Sequence, residues 1–204
     1  PLIRFEGHYF DRRLTGERRD AARKAGLASP LAGGVANPRT QAGRWGLLER
    51  AAAIDRKAAY ESVSWGVGQV MGTHWAWLGY GSVESLAAEA RSGVAGQVRL
   101  MVRYIAKAGL TEALRRRDWD AFARGYNGPA YKRFGYDTKL KAAYGRHAKA
   151  SVQSAAKPAN PAAPAASPAS RPVTTTTAAA PRSWLADLLL SVAATLRLHA
   201  WTGR

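Results

Sequence analysis

Glu6 and His8 stand among Phe5, Tyr9 and Phe10 in the word FEGHYFDRRLTG, residues 5–16. A carboxyl group set beside aromatic rings loses hydration, so its pKa is expected to rise, which suits a general acid. The competing reading is a buried, hydrogen-bonded pair with a structural role only. A second word, YESVSWGVGQVMG, spans residues 60–72. Ser64, Gly66 and Gly68 are small enough for backbone to approach a ligand closely, and Gln69 offers both a donor and an acceptor. Against this stands tight helix packing at the glycines, with Gln69 solvated. The third word, FARGYNGPAY, spans residues 122–131. It ends a helix at Asn127-Gly128 and presents Tyr126 from a rigid turn, or is a plain helix stop with a half-buried tyrosine. GVGQVMG also invites a dinucleotide-binding reading. It fails because its last glycine gap is three residues, a helix is expected ahead of it, and Trp65 stands where a strand should end.

The elements that must carry these words read as helices. GERRDAARKAG is a short charged helix stopped at Gly26. QAGRWGLLERAAAIDRKAAYESV places Trp45, Leu48, Ala52 and Ala59 at helical steps, with Arg50, Asp55, Arg56 and Lys57 between them. Ser82 is placed to cap SVESLAAEARSG, but Ser85 three residues on is expected to be too short to complete a capping box. VAGQVRLMVRYIAKAG sets Val94, Val98, Met101 and Ile105 on one face, ended by Gly109. No stretch alternates with period two for long enough to make a strand. The class is all-α.

Composition changes near residue 150. The stretch 151–182 holds no acidic or aromatic residue and a proline every few positions, the composition of an Ala/Pro/Thr-rich linker. Residues 183–204 then read as a short amphipathic helix. It is too short to span a bilayer, and its candidate roles are contact with an anionic membrane surface or docking on a protein face. Thirty-one Lys and Arg against fourteen Asp and Glu leave a formal net charge of +17, which calls for a polyanionic partner. Specific nucleic-acid binding is not expected, because Trp45 and Trp119 occupy positions that read as buried. The absence of cysteine excludes disulfides, a thiolate nucleophile and cysteine-ligated metal centres. Four scattered histidines with no HExxH pair argue against a zinc hydrolase. The opening PLIRFEGHYF is too charged to read as a secretory signal.

Taken together, the three words resemble the phage-type N-acetylmuramidase family of endolysins, within the lysozyme-like superfamily. LIRFEGHYF is similar to that family's I-x-FE-x-H-x-F opening, SVSWGVGQVMG to its S-x-SWG-x-GQ-x-MG signature, and FARGYNGPAY to its A-x-x-YNG-P-x-Y signature. The resemblance runs from residue 1 to about residue 148. It implies a two-lobed, lysozyme-like helical domain that cleaves the β-1,4 bond between N-acetylmuramic acid and N-acetylglucosamine by glutamate general-acid catalysis, with no cofactor and no metal. It implies peptidoglycan glycan strands as partner, a monomer, residence in the bacterial host cytoplasm before release, and action in the periplasm or cell wall.

In the family, the principal acid lies in a VES-like segment upstream of the FE-x-H word. The resemblance therefore implies a domain truncated at its N-terminus, with no residue here inheriting that role by match. Glu6 occupies a matched position and Glu61 adjoins one, so these two are the candidate catalytic carboxylates. His8, Ser64, Gln69, Tyr126 and Asn127 are the candidate substrate-binding residues. Glu61 and Asp55 are the candidates for a second carboxylate, whose spacing separates retention from inversion. Transglycosylase chemistry on the same bond, and a catalytically impaired wall-binding remnant, remain alternatives.

Overall fold

In the computed structural model, residues 1–156 are described, and the fold of Pro1–Phe134 carries all three words. In chain order this part runs β1 (Ile3–Phe5), α1 (Gly7–Arg13), α2 (Gly16–Lys24), α3 (Gln41–Ile54), α4 (Arg56–Glu61), β2 (Val63–Trp65) and β3 (Val70–Met71). A 3-10 turn (Gly72–His74) comes next, then α5 (Val83–Arg91), α6 (Val94–Lys107), α7 (Thr111–Arg115), α8 (Trp119–Asn127) and a 3-10 turn at Pro129–Lys132. Among the described residues the fold is predominantly helical, as expected. Separately, Tyr136–Ala156 forms one helix, α9, whose backbone continues six residues past the expected start of the linker at Ser151. The rest of that linker, and the proposed C-terminal helix at 183–204, lie outside the described residues. No helix among the described residues is long and apolar enough to cross a membrane.

Three short strands depart from the helical expectation. They form an antiparallel sheet in the order β1-β2-β3, with Ile3 opposite Trp65, Phe5 opposite Val63, and Ser64 opposite Met71. Strands of two or three residues are too short for alternation to show. A strand, not a helix, therefore precedes GVGQVMG. The chain then enters another strand, β3, and not the helix whose N-terminus would hold a pyrophosphate, so the dinucleotide reading still fails. The sheet is buried: Ile3, Phe5, Val63 and Trp65 are fully enclosed, with Phe10, Leu48, Leu86 and Leu100 around them. Side-chain amides occupy the outer edge of β1. The Ile3 N–H donates to Gln41 Oε1 at 2.8 Å and the Phe5 N–H to Asn37 Oδ1 at 2.9 Å, while Asn37 Nδ2 donates to the Phe5 carbonyl at 2.7 Å.

The single long helix expected from Gln41 onward breaks at Asp55. That residue is extended (φ −154°, ψ 105°), and its carboxylate accepts from the Ala58 N–H at 2.9 Å, so it caps α4. Ser85 does complete a capping box, contrary to expectation. Its hydroxyl accepts from the Ser82 N–H at 3.2 Å while Ser82 Oγ accepts from the Ser85 N–H at 3.2 Å. On α6 the buried face is rotated from the expected one. Gly96, Gln97, Leu100, Met101 and Ile105 face inward, whereas Val94 is exposed. Gly26 and Gly109 stop their helices as read, each with positive φ. Asp11, buried on α1, takes a two-pronged bond from Arg23 of α2 at 2.6 and 2.9 Å, which holds its carboxyl below the usual value.

Candidate active site

Four residues separate β2 from β3, and they fold on themselves. Gln69 adopts φ +50°, its N–H reaches the Gly66 carbonyl at 3.2 Å, and its Nε2 donates to the same carbonyl at 2.8 Å. Gln69 therefore braces its own loop and is not merely solvated. The glycines here approach protein and not open space. A Cβ at Gly68 would fall 2.6 Å from Met101 Cβ and 2.9 Å from the Tyr126 hydroxyl; one at Gly72 would fall 2.2 Å from the Tyr60 carbonyl. Ser64 is buried, and its hydroxyl donates to Met71 Sδ at 3.1 Å.

The third word arrives at this loop from α8. Tyr126, in the last turn, donates its O–H to the Gly68 carbonyl at 2.7 Å, and Gly128 ends the helix with φ +81°. Burial pushes the Tyr126 hydroxyl far above its ordinary pKa, with Tyr104 adding to the effect, so the group stays a donor. Rings extend from it: Tyr126 meets Tyr104 edge to face at 5.2 Å, and Tyr104 meets His74 at 5.5 Å and Trp77 at 5.7 Å. Burial lowers the His74 pKa, and the Arg13 charge lowers it further. Asn127 is half-buried beside this run.

The two candidate carboxylates adjoin the same framework. The Glu6 N–H donates to the Ser62 carbonyl at 2.8 Å, so Glu6 continues the β1–β2 pairing into α1. Phe5 and Phe10 pack edge to face at 5.5 Å, but the Glu6 carboxylate, expected to lie against the rings, is paired with Arg4 Nε at 2.7 Å, and His8 Nδ1 lies 3.7 Å from its other oxygen. Glu61 ends α4. Its Oε2 accepts from Arg13 Nε at 3.1 Å and its Oε1 from Trp75 Nε1 at 2.8 Å. Trp75 is the residue directly after His74, so Glu61, His74, Tyr104, Tyr126 and Gly68 form one connected chain of contacts. Asp55 is not part of it: that carboxylate caps α4 and pairs with Arg18 at 3.0 Å.

Sequence reasoning missed Arg13, His74, Trp75, Trp77 and Tyr104. The aromatic word HWAW shortly after GQVMG was the available signal. Arg13 and Tyr104 sit inside ordinary helical patterns and gave none. Among the described residues, no three His, Asp or Glu side chains gather closely enough to hold a metal ion.

The N-acetylmuramidase family model matches residues 1–148. The solved structure of a Burkholderia AP3 phage endolysin is similar at 34% identity with a TM-score of 0.63, covering 73% of this chain and 57% of that one. The chain thus spans little more than half the length of that endolysin. No curated protein matches. With the family model covering all three words and the Tyr126–Gly68 bond joining two of them, the chain belongs to the N-acetylmuramidase family.

Proposed function

We propose that this chain binds peptidoglycan glycan strands along the run from Glu61 to Gly68 and cleaves the β-1,4 bond between N-acetylmuramic acid and N-acetylglucosamine. The observation that carries the reading is the Tyr126 O–H to Gly68 carbonyl bond, which brings the YNG word onto the SWG-x-GQ-x-MG word. Half-exposed rings beside hydrogen-bonding groups suit pyranose faces, whose C–H bonds pack on aromatic surfaces while hydroxyls seek polar partners.

In this reading Glu6 and Glu61 have different tasks. Both Glu61 oxygens already accept a hydrogen bond, so that carboxylate is arranged to face the positive charge that develops on the sugar ring. Glu6, with the His8 ring 3.7 Å from one of its oxygens, is assigned delivery of a proton to the leaving oxygen. His8, Ser64, Gln69, Tyr126 and Asn127 shape and brace the sugar site. The likeness to a phage endolysin supports action at the cell wall.

A second reading, wall binding without turnover, is favoured by one observation: both carboxylates are engaged by arginines, Arg4 and Arg13. Incubating the purified chain with sacculi and analysing the soluble products by mass spectrometry separates the outcomes. Reducing muramic acid ends support hydrolysis, and anhydro-muramyl ends mean transglycosylase chemistry. Co-sedimentation without released fragments leaves the binding role alone.

A further inference from the structure

Along α3, positions 45, 48, 49, 52 and 53 fall at steps of three and four, so they share one helical stripe, and Arg56 opens α4 just beyond the break at Asp55. The middle of that stripe is Ala52 and Ala53, and above the two methyl groups lies a hollow of about 320 Å³, the volume of a small ligand site. Its walls are the rings of Trp45 and Tyr60, the guanidinium groups of Arg56 and Arg91, and the carboxylate of Glu49. Each ring carries one arginine: Arg91 lies 5.2 Å over Trp45, and Arg56 lies 4.7 Å over Tyr60.

Stacking fixes a guanidinium group while leaving its N–H edge free for hydrogen bonds. Arg56 spends one donor on the Tyr60 hydroxyl at 3.4 Å, and among the described residues neither arginine has a carboxylate within ion-pair distance. Arg13 and Arg23, by contrast, are each paired with an acid. Two unpaired cations and one unpaired carboxylate around an aromatic floor match a ligand with more carboxylates than amines. Trp65 backs both rings, at 5.9 Å from Trp45 and 5.4 Å from Tyr60, so the hollow lies behind the β2 strand and uses none of the candidate site residues.

We propose that this hollow is a second binding site for a short peptide bearing at least two free carboxylates and one ammonium group. Arg56 and Arg91 take the carboxylates and Glu49 the ammonium. Resting on the peptidoglycan reading, the source is the diamino-acid end of a wall stem peptide.

Titration calorimetry with the free tripeptide L-Ala–γ-D-Glu–meso-diaminopimelate, alongside chitotetraose as a glycan probe, tests this. The tripeptide is expected to bind, the double variant Arg56→Gln/Arg91→Gln to weaken it by roughly fivefold or more, and chitotetraose binding to stay unchanged in that variant. Acetylating the side-chain amine of the tripeptide is expected to weaken binding to the wild type but not to Glu49→Gln. All three residues are exposed, so the variants should keep the parent's unfolding temperature. Absence of tripeptide binding while chitotetraose still binds overturns this inference alone; loss of both overturns it together with the peptidoglycan reading. Equal competition by glycerol phosphate, with no effect of Glu49→Gln, overturns it in favour of a phosphate polymer.

Discussion

Tyr126 joins two distant sequence words through one hydrogen bond. Tyr126→Phe deletes the bond to the Gly68 carbonyl and leaves that oxygen without its partner, a loss of about 1 kcal/mol. Thermal unfolding should show that modest loss with the fold retained, and sacculus digestion should slow more than the stability change alone implies. Gly68→Ala acts on the same contact from the other side. Its methyl group would overlap Met101 and the Tyr126 hydroxyl, so a loss of about 1–3 kcal/mol is expected in urea unfolding. His74 gives a pH signature. Its pKa is lowered in the fold from the ordinary 6.5, chiefly by burial, so the unfolded chain takes up the proton first as pH falls. The stability that the neutral ring contributes is complete above about pH 6.5 and is lost as pH drops toward the folded value. His74→Gln should flatten that part of a stability–pH curve measured by denaturant titration. Tyr126, Gln69 and Glu6 were legible in the sequence because their neighbours form recognisable words. Arg13 and Tyr104 were not, because a helical pattern records which face is apolar and not which distant carboxylate or ring that face will meet.

Asp55 carries the lesson at the level of elements. Apolar periodicity runs through it without interruption, so α3 and α4 read as one helix, with Asp55, a candidate second carboxylate, between the apolar steps. The cap it forms on Ala58 redirects the chain, and the redirected α4 is what delivers Glu61 beside Arg13 and Trp75. Asp55→Ala removes that cap and the Arg18 pair, and should cost about 1 kcal/mol in chemical denaturation. Because the cap also aims α4, the variant should weaken chitotetraose binding as well. Helices α2, α6 and α8 end where their glycines predicted. The buried side of α6 kept Met101 and Ile105 but not Val94, because near its start Gly96 and Gln97 make the close approach: a Cβ on Gly96 would sit 2.0 Å from the Glu89 carbonyl, and Gly66 packs on Gln97. Packing against a neighbour set the face at the start of the helix, and apolar residues set it further on.

A net charge of +17 over 204 residues makes the whole molecule a polycation, whatever its individual sites hold. Long-range attraction of such a net charge to anionic wall polymers is screened by salt, so it should fall steeply with ionic strength. The screening length shrinks from about 10 Å at 0.1 M salt to about 3 Å at 1 M. Co-sedimentation with sacculi should therefore decline across that range, whereas chitotetraose, which is uncharged, should bind nearly as well at either end.

The amides of Asn37 and Gln41 bear on how copies of this molecule treat one another. A strand whose outer N–H and C=O groups point at solvent is a template on which another polypeptide can add itself, and β1 would be one without them. These two side chains imitate an absent fourth strand and seal that border. Asn37→Ala together with Gln41→Ala should unseal it, and light scattering on a concentrated sample should then register self-association that the parent sequence resists.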